Sequence, residues 1–108
     1  MIKITDDSHG LIAAFKALSN NTRLRILSWL KEPEKHFPRQ EAADMREVGV
    51  CVKHIQHKVG LSQSTVSLYL TELQEAGLVT VTRLGQWTYY KRDEKGIEAL
   101  ARHIKRSL

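Results

Sequence analysis

A single cysteine, Cys51, in 108 residues excludes an intramolecular disulfide, so nothing staples the fold or points to an oxidising compartment. The thiol is free or pairs between chains. Prolines are nearly as scarce: Pro33 and Pro38 are the only two, and both fall within residues 31–50. No apolar run approaches the roughly 20 residues needed to cross a bilayer. The first ten residues, MIKITDDSHG, lack the apolar core of a secretory leader, which predicts a cytoplasmic protein with no membrane partner. Repeats and low-complexity tracts are absent. With 42% hydrophobic residues, a chain of this length can fill one modest core, so a single domain spanning 1–108 is expected.

The formal net charge of +5 favours an anionic partner such as nucleic acid. Its distribution says more. Between Lys53 and Arg92 five basic residues (Lys53, Lys58, Arg83, Lys91, Arg92) face two acidic ones (Glu72, Glu75), whereas residues 33–52 carry three basic and four acidic residues. Positive charge therefore gathers in the second half, where a solvated basic surface and a duplex-binding surface both remain open readings.

Hydrophobic periodicity divides the chain into elements. Leu11, Phe15 and Leu18 share one face of a first helix. After SNN, which offers N-cap residues, Leu24, Ile26, Leu27 and Leu30 predict a second buried helix ending near Lys31. Residues 31–50 have poor periodicity and read as a long connection with one helical turn at Glu41 to Arg46. Connections of that length are often functional, although a tolerated surface insertion is the plainer reading. CVKHIQHKVG then gives a short helix with Val52, Ile55 and Val59 inward and Gly60 as its stop. In LSQSTVSLYLTELQEAG, Ser62 is the N-cap candidate, Val66, Leu70 and Leu73 form the buried stripe, and Gly77 closes the helix. Two helices joined by about three residues make a helix-turn-helix.

Past Gly77 the period falls to two. LVTVTR and WTYYKR, separated by LGQ, predict a β-hairpin, and DEKGIEALARHIKRSL predicts a last helix with Ile97, Leu100, Ala101 and Ile104 on one face. The expected fold is thus mainly α with a β-hairpin wing: four helices, the hairpin, and a fifth helix.

A helix that reads a major groove keeps its first turns free of bulky side chains. Gln63, Ser64 and Thr65, with Ser67 and Leu68 a turn later, fit that requirement. Gln63 suits an adenine edge, and the hydroxyls suit bases or phosphates. In the hairpin, Arg83 precedes the turn and Gln86 lies in it, where a wing can add phosphate contacts. Trp87, Tyr89 and Tyr90 are expected to pack the hairpin onto the body rather than stack on bases.

The segments LSNNTRLRIL, LSQSTVSLYLTELQEAGLV and GQWTYYKRD, in this order and spacing, resemble the ArsR/SmtB family of bacterial winged helix-turn-helix repressors over nearly the whole chain. The resemblance implies a homodimer joined through the first and last helices, with Leu11, Phe15, Ile97, Leu100, Ala101 and Ile104 at the interface. It also implies a palindromic double-stranded DNA operator held by Ser62 to Thr65, Ser67, Leu68, Tyr69, Arg83 and Gln86, and release by an inducer that the sequence does not identify. Two departures stand out. Leu68 and Tyr69 occupy positions where the family often has glutamine and histidine, and Gln56 replaces the small residue usual at the helix-turn-helix corner, which predicts a slightly opened corner.

Metal-sensing relatives carry Cys-Val-Cys at the start of the third helix. Here Cys51 stands at the first position and Lys53 at the second, and lysine does not replace a thiolate. The last helix offers Asp93, Glu94 and His103 without the family's histidine pair. Cys51 and His57 lie ~120° apart on a helical cylinder, too far round to share one ion with His54. No metal site or cofactor is therefore expected. Cys51 is left as a small buried residue or as a thiol sensor of oxidants or electrophiles. Enzymatic use of Cys51 would require an orienting group and an oxyanion site that nothing marks. The rival to a DNA-binding regulator is a winged-helix module that binds only protein.

Overall fold

In the computed structural model, which describes residues 6–108, the elements in chain order are α1 (Asp6–Leu18), α2 (Asn21–Lys31), α3 (Pro33–His36), β1 (Val50–Cys51), α4 (Val52–Val59), α5 (Gln63–Glu75), β2 (Val79–Leu84), β3 (Trp87–Arg92) and α6 (Glu94–Ser107). All five helices and the hairpin expected from the sequence are present. The connection differs. Its helical turn lies at Pro33–His36, where proline at the first helical position suits the start, and not at Glu41 to Arg46. The segment also ends in a two-residue strand, too short to leave a periodic signal.

That strand makes the sheet three-stranded and antiparallel, in the order β1-β3-β2. Val50 pairs with Tyr90 and Cys51 with Tyr89, while β2 runs against β3 from Val79↔Arg92 to Leu84↔Trp87. β3 is thus central, and the hairpin is fixed to the body along its far edge. Gly49 sets the approach: its φ is +125°, and a Cβ there would stand 2.6 Å from the Tyr90 carbonyl oxygen. The residue must be glycine on both counts.

Inside the connection, the Gln40 carboxamide acts as a latch. It donates to the carbonyls of Ala43 (2.9 Å) and Gly49 (2.6 Å) and accepts from the Cys51 N–H at 3.1 Å. Lys91 of β3 reaches across to the Glu47 carbonyl at 3.1 Å. Arg46 pairs with Glu34, with its Nη2 2.9 Å from Oε2. A segment poor in apolar residues is so held by polar contacts.

The core gathers Ile26, Val50, Ile55, Val66, Leu70, Leu73 and Leu78, each essentially inaccessible to water. Leu24 does not join them; contrary to the periodicity reading, it is 48% exposed, on the outer side of α2. Trp29 and Phe37 meet edge to face with centroids 6.3 Å apart, closing the core beneath α3. α5 ends in a Schellman turn, with Leu78 N–H on the Leu73 carbonyl and Gly77 N–H on that of Gln74. α6 starts against this turn: Asp93 donates its N–H to Leu78 O and caps Gly96 N–H with its carboxylate at 2.9 Å.

Candidate nucleic-acid interface

The helix-turn-helix comprises α4, a three-residue turn and α5. Gly60 ends α4 in the left-handed conformation, φ 75°, with its N–H on the Gln56 carbonyl at 3.0 Å. Gln56, whose carbonyl takes that bond, has a half-buried side chain. Ser62 caps α5, its Oγ accepting the Thr65 N–H at 3.2 Å while its hydroxyl donates to Thr65 Oγ1 at 2.8 Å. Those two hydroxyls are occupied in starting the helix. Beyond them, Val66, Leu70 and Leu73 face inward at 0% exposure, and Ser64, Ser67, Leu68 and Thr71 are exposed on the other side. Gln63 is exposed in the first turn.

Tyr69, expected among the DNA-contacting residues, has its ring against the body. It is half-buried, packs against the core, lies under the Arg23 guanidinium (5.1 Å to the ring centroid), and accepts a long 3.5 Å bond from Asn20 Nδ2. Its position one residue past Leu68 rotates it about 100° off the exposed face. Arg23 also donates to the carbonyls of Ala17 (2.6 Å) and Lys16 (3.1 Å) and pairs with Glu72 at 2.5 Å. It therefore ties the end of α1 and the start of α2 to α5. Periodicity cannot flag such a residue, because its partners lie on two other helices.

The wing turns over Gly85 and Gln86, with φ +60° at the glycine and no positive φ at the glutamine, the pattern of a type II′ hairpin. Arg83, Leu84, Gly85 and Gln86 are all exposed at its tip. As expected, the aromatic residues hold the wing to the body. Tyr89 and Tyr90 are buried, and Trp87 packs beneath the Lys53 ammonium, 4.5 Å from its ring centroid, joining wing and α4. Burial pushes the Tyr90 hydroxyl's pKa up, partly offset by the nearby Arg83 charge.

The CVKHIQH stretch is split by the fold. Cys51 is buried in β1, His54 is half-buried and His57 exposed. Among the described residues, no group of three or more His, Cys, Asp and Glu is placed to hold a metal ion. Cys51 instead lies at the edge of an open groove of about 400 Å³ between the connection and the wing, with Arg39, Lys53, His54 and Trp87 around it.

α1 and α6 pack on one another. Phe15 is 40% exposed, as are Ile12 at 50% and Leu108 at 60%; Ala101 is exposed, and Ile97, Leu100 and Ile104 are half-buried. Leu11 departs from the expectation that it faces outward: at 4% exposure it is already covered within the single chain. Ile12 takes its place on the outer face.

No protein-family model matches the chain. It is 54% identical over 94 residues to the uncharacterized HTH-type transcriptional regulator YbzH of Bacillus subtilis, covering 87% of this chain and 94% of that protein. Over 77 residues it is 34% identical to the arsenic resistance transcriptional regulator ArsR1 of Pseudomonas putida, covering 71% of this chain but only 49% of that longer protein. Among solved structures, its fold matches an ArsR-like transcriptional regulator from Rhodococcus sp. RHA1 with a TM-score of 0.70 at 24% identity, covering 94% and 82% of the two chains. It also matches the homodimeric winged helix-turn-helix DNA-binding domain Mb0332 of Mycobacterium bovis with a TM-score of 0.64 at 24% identity, covering 97% and 87%. A capped α5 with a short polar outer face, a basic wing pinned by aromatics, an ArsR-like winged helix-turn-helix fold and a relative covered almost end to end lead to one statement: the chain belongs to the HTH-type transcriptional regulators.

Proposed function

We propose that two copies of this chain form a cytoplasmic repressor on a palindromic duplex operator. In this reading Gln63, Ser64, Ser67 and Leu68 enter the major groove, Ser62 and Thr65 set the first turn of α5 against it, and Arg83 with Gln86 anchors the wing on the backbone. The observation that carries this is the division of α5: a fully buried stripe on one side and, opposite, an exposed face of short side chains that lets a duplex approach closely. The local excess of basic residues supplies the phosphate attraction.

The second copy is argued from the end helices. Phe15 and Ile12 on α1, with the half-buried Ile97, Leu100 and Ile104 of α6, form an apolar surface that one chain leaves open. A symmetric pair would bury it and set two reading helices on successive half-sites. An inducer would then release the dimer from DNA. Sedimentation equilibrium tests the assembly, with twice the 12.4 kDa of the chain as the expected mass. Binding to the DNA upstream of the protein's own gene, titrated at two salt concentrations, tests the rest. Tight binding that weakens steeply with salt is expected; a monomer indifferent to duplex DNA would favour a protein-interaction module instead.

A further inference from the structure

One side chain on the reading helix is not explained by its neighbours. Ser64, Ser67 and Thr71 carry short hydroxyls on the exposed face of α5, and among them Leu68 leaves 55% of its surface in water. Folding does not need it there, since Val66, Leu70 and Leu73 already fill the inward stripe without any exposed surface. As a helical residue, Leu68 leans back over the first turn of α5, the end assigned above to the base edges. Of the four, it has the longest side chain and reaches furthest.

An isobutyl group neither donates nor accepts a hydrogen bond. Among the groups that base pairs display in the major groove, the 5-methyl of thymine is the apolar one. Against the amino group of cytosine, or O6 and N7 of guanine, the same side chain would strip water from polar atoms and return nothing, which disfavours those pairs. We infer that Leu68 is a specificity-determining residue that selects a thymine in each operator half-site through contact with its 5-methyl group. The inference rests on the duplex-binding reading of α5 and adds the chemistry of one of its contacts.

The test is a uracil scan. A preferred duplex is selected from a random pool with the wild-type protein, and each of its thymines is replaced in turn by deoxyuridine, which removes the methyl and leaves the hydrogen-bonding edge intact. Affinities are read by fluorescence anisotropy. One position per half-site is expected to lose about fourfold in wild-type affinity, the size set by withdrawing one methyl-sized group from apolar contact. Leu68→Ser and Leu68→Gln should bind the thymine and uracil forms of that position alike. Because Leu68 is exposed, both variants should keep the wild-type far-UV dichroism and melting temperature.

If the wild type tolerated uracil everywhere, or if both variants lost as much as the wild type at the same position, the assignment to Leu68 would be overturned while duplex binding stood. If no duplex could be selected at all, the reading of α5 would fall with it.

Discussion

Replacing Arg23 with alanine should destabilise the protein by about 2 to 4 kcal/mol, and the structure shows where that magnitude comes from. The guanidinium donates to two carbonyls at the C-terminal end of α1, those of Ala17 and Lys16. Hydrogen bonds from charged donors are each worth roughly 1.5–3 kcal/mol. The Lys16 carbonyl lies in an exposed bond and regains water, so the loss falls mainly on the part-buried bond to Ala17. Glu72, whose side chain is 37% exposed, also rehydrates, so its ion pair contributes no more than about 1 kcal/mol. The stack on Tyr69 adds about 0.5–1 kcal/mol. Such a loss should lower the melting temperature on the order of 10 to 25 °C for a domain of this size, followed by circular dichroism at fixed protein concentration so that dimerisation does not shift the midpoint. Lysine keeps the charge but not the fork, so Arg23→Lys should recover less than half of the loss. Hydrogen exchange should rise first in α1. An alanine variant within 1 kcal/mol of wild type, or full rescue by lysine, would refute the role given to the fork.

Gly49→Ala should be more damaging still, because the new methyl meets the Tyr90 carbonyl at 2.6 Å in a backbone region that alanine avoids. Loss of soluble, cooperatively melting protein is the expected result, and a wild-type urea midpoint would contradict it. Arg83→Ala should weaken binding to every duplex similarly and lower the salt slope by about one, while Gln63→Ala should relax sequence preference with the slope unchanged; anisotropy across operator variants separates the two. The Asp44 carboxylate is held below its ordinary pKa by the backbone N–H groups of Glu47 and Arg46, and that of Glu34 by its own backbone N–H and by Arg46. Groups with depressed values contribute stability above their ordinary pKa and lose it as pH falls through the folded value, so amide protection factors in residues 34–47, corrected for the intrinsic pH dependence of exchange, should fall selectively as the carboxylates protonate. Cys51→Ala should keep operator affinity within about twofold; release by an oxidant in the wild type but not in this variant would make Cys51 the sensing group, whereas release in both would exclude it.

The parts legible in the sequence were those built on local repetition. Val66, Leu70 and Leu73 repeat at helical spacing because one side of α5 is buried, and Thr80 alternates with Val79 and Val81 because the hairpin has one wet face. Two caps were readable for a similar reason: Asn20 and Ser62 act on N–H groups three residues away. Illegible were features whose partners lie far along the chain. The two-residue strand Val50–Cys51 exists through pairing with Tyr89 and Tyr90, some forty residues on, and is too short to show a period. Gln40 looks like any surface glutamine until Gly49 and Cys51 are folded back against it. The direction of the Tyr69 ring was not legible either, because a resemblance supplies positions but not directions; in this chain the ring lies beneath Arg23.

The central position of β3 bears on how such a regulator is controlled. Its outer edge carries the wing strand, and its other edge carries β1, whose second residue, Cys51, is followed at once by the first residue of α4. Wing and helix-turn-helix are therefore not independent bodies: the ladder from β1 through β3 to β2, and the Lys53 stack on Trp87, join them at two points. The connection meets this ladder at the Gln40 latch, at Gly49, whose close approach to Tyr90 leaves no room for sliding, and at the Lys91 bond to Glu47. A displacement of the connection would therefore be transmitted to wing and helix-turn-helix together rather than to either alone. Under the duplex-binding reading, the phosphate contacts proposed for Arg83 and the base contacts proposed for α5 would respond together to such a displacement.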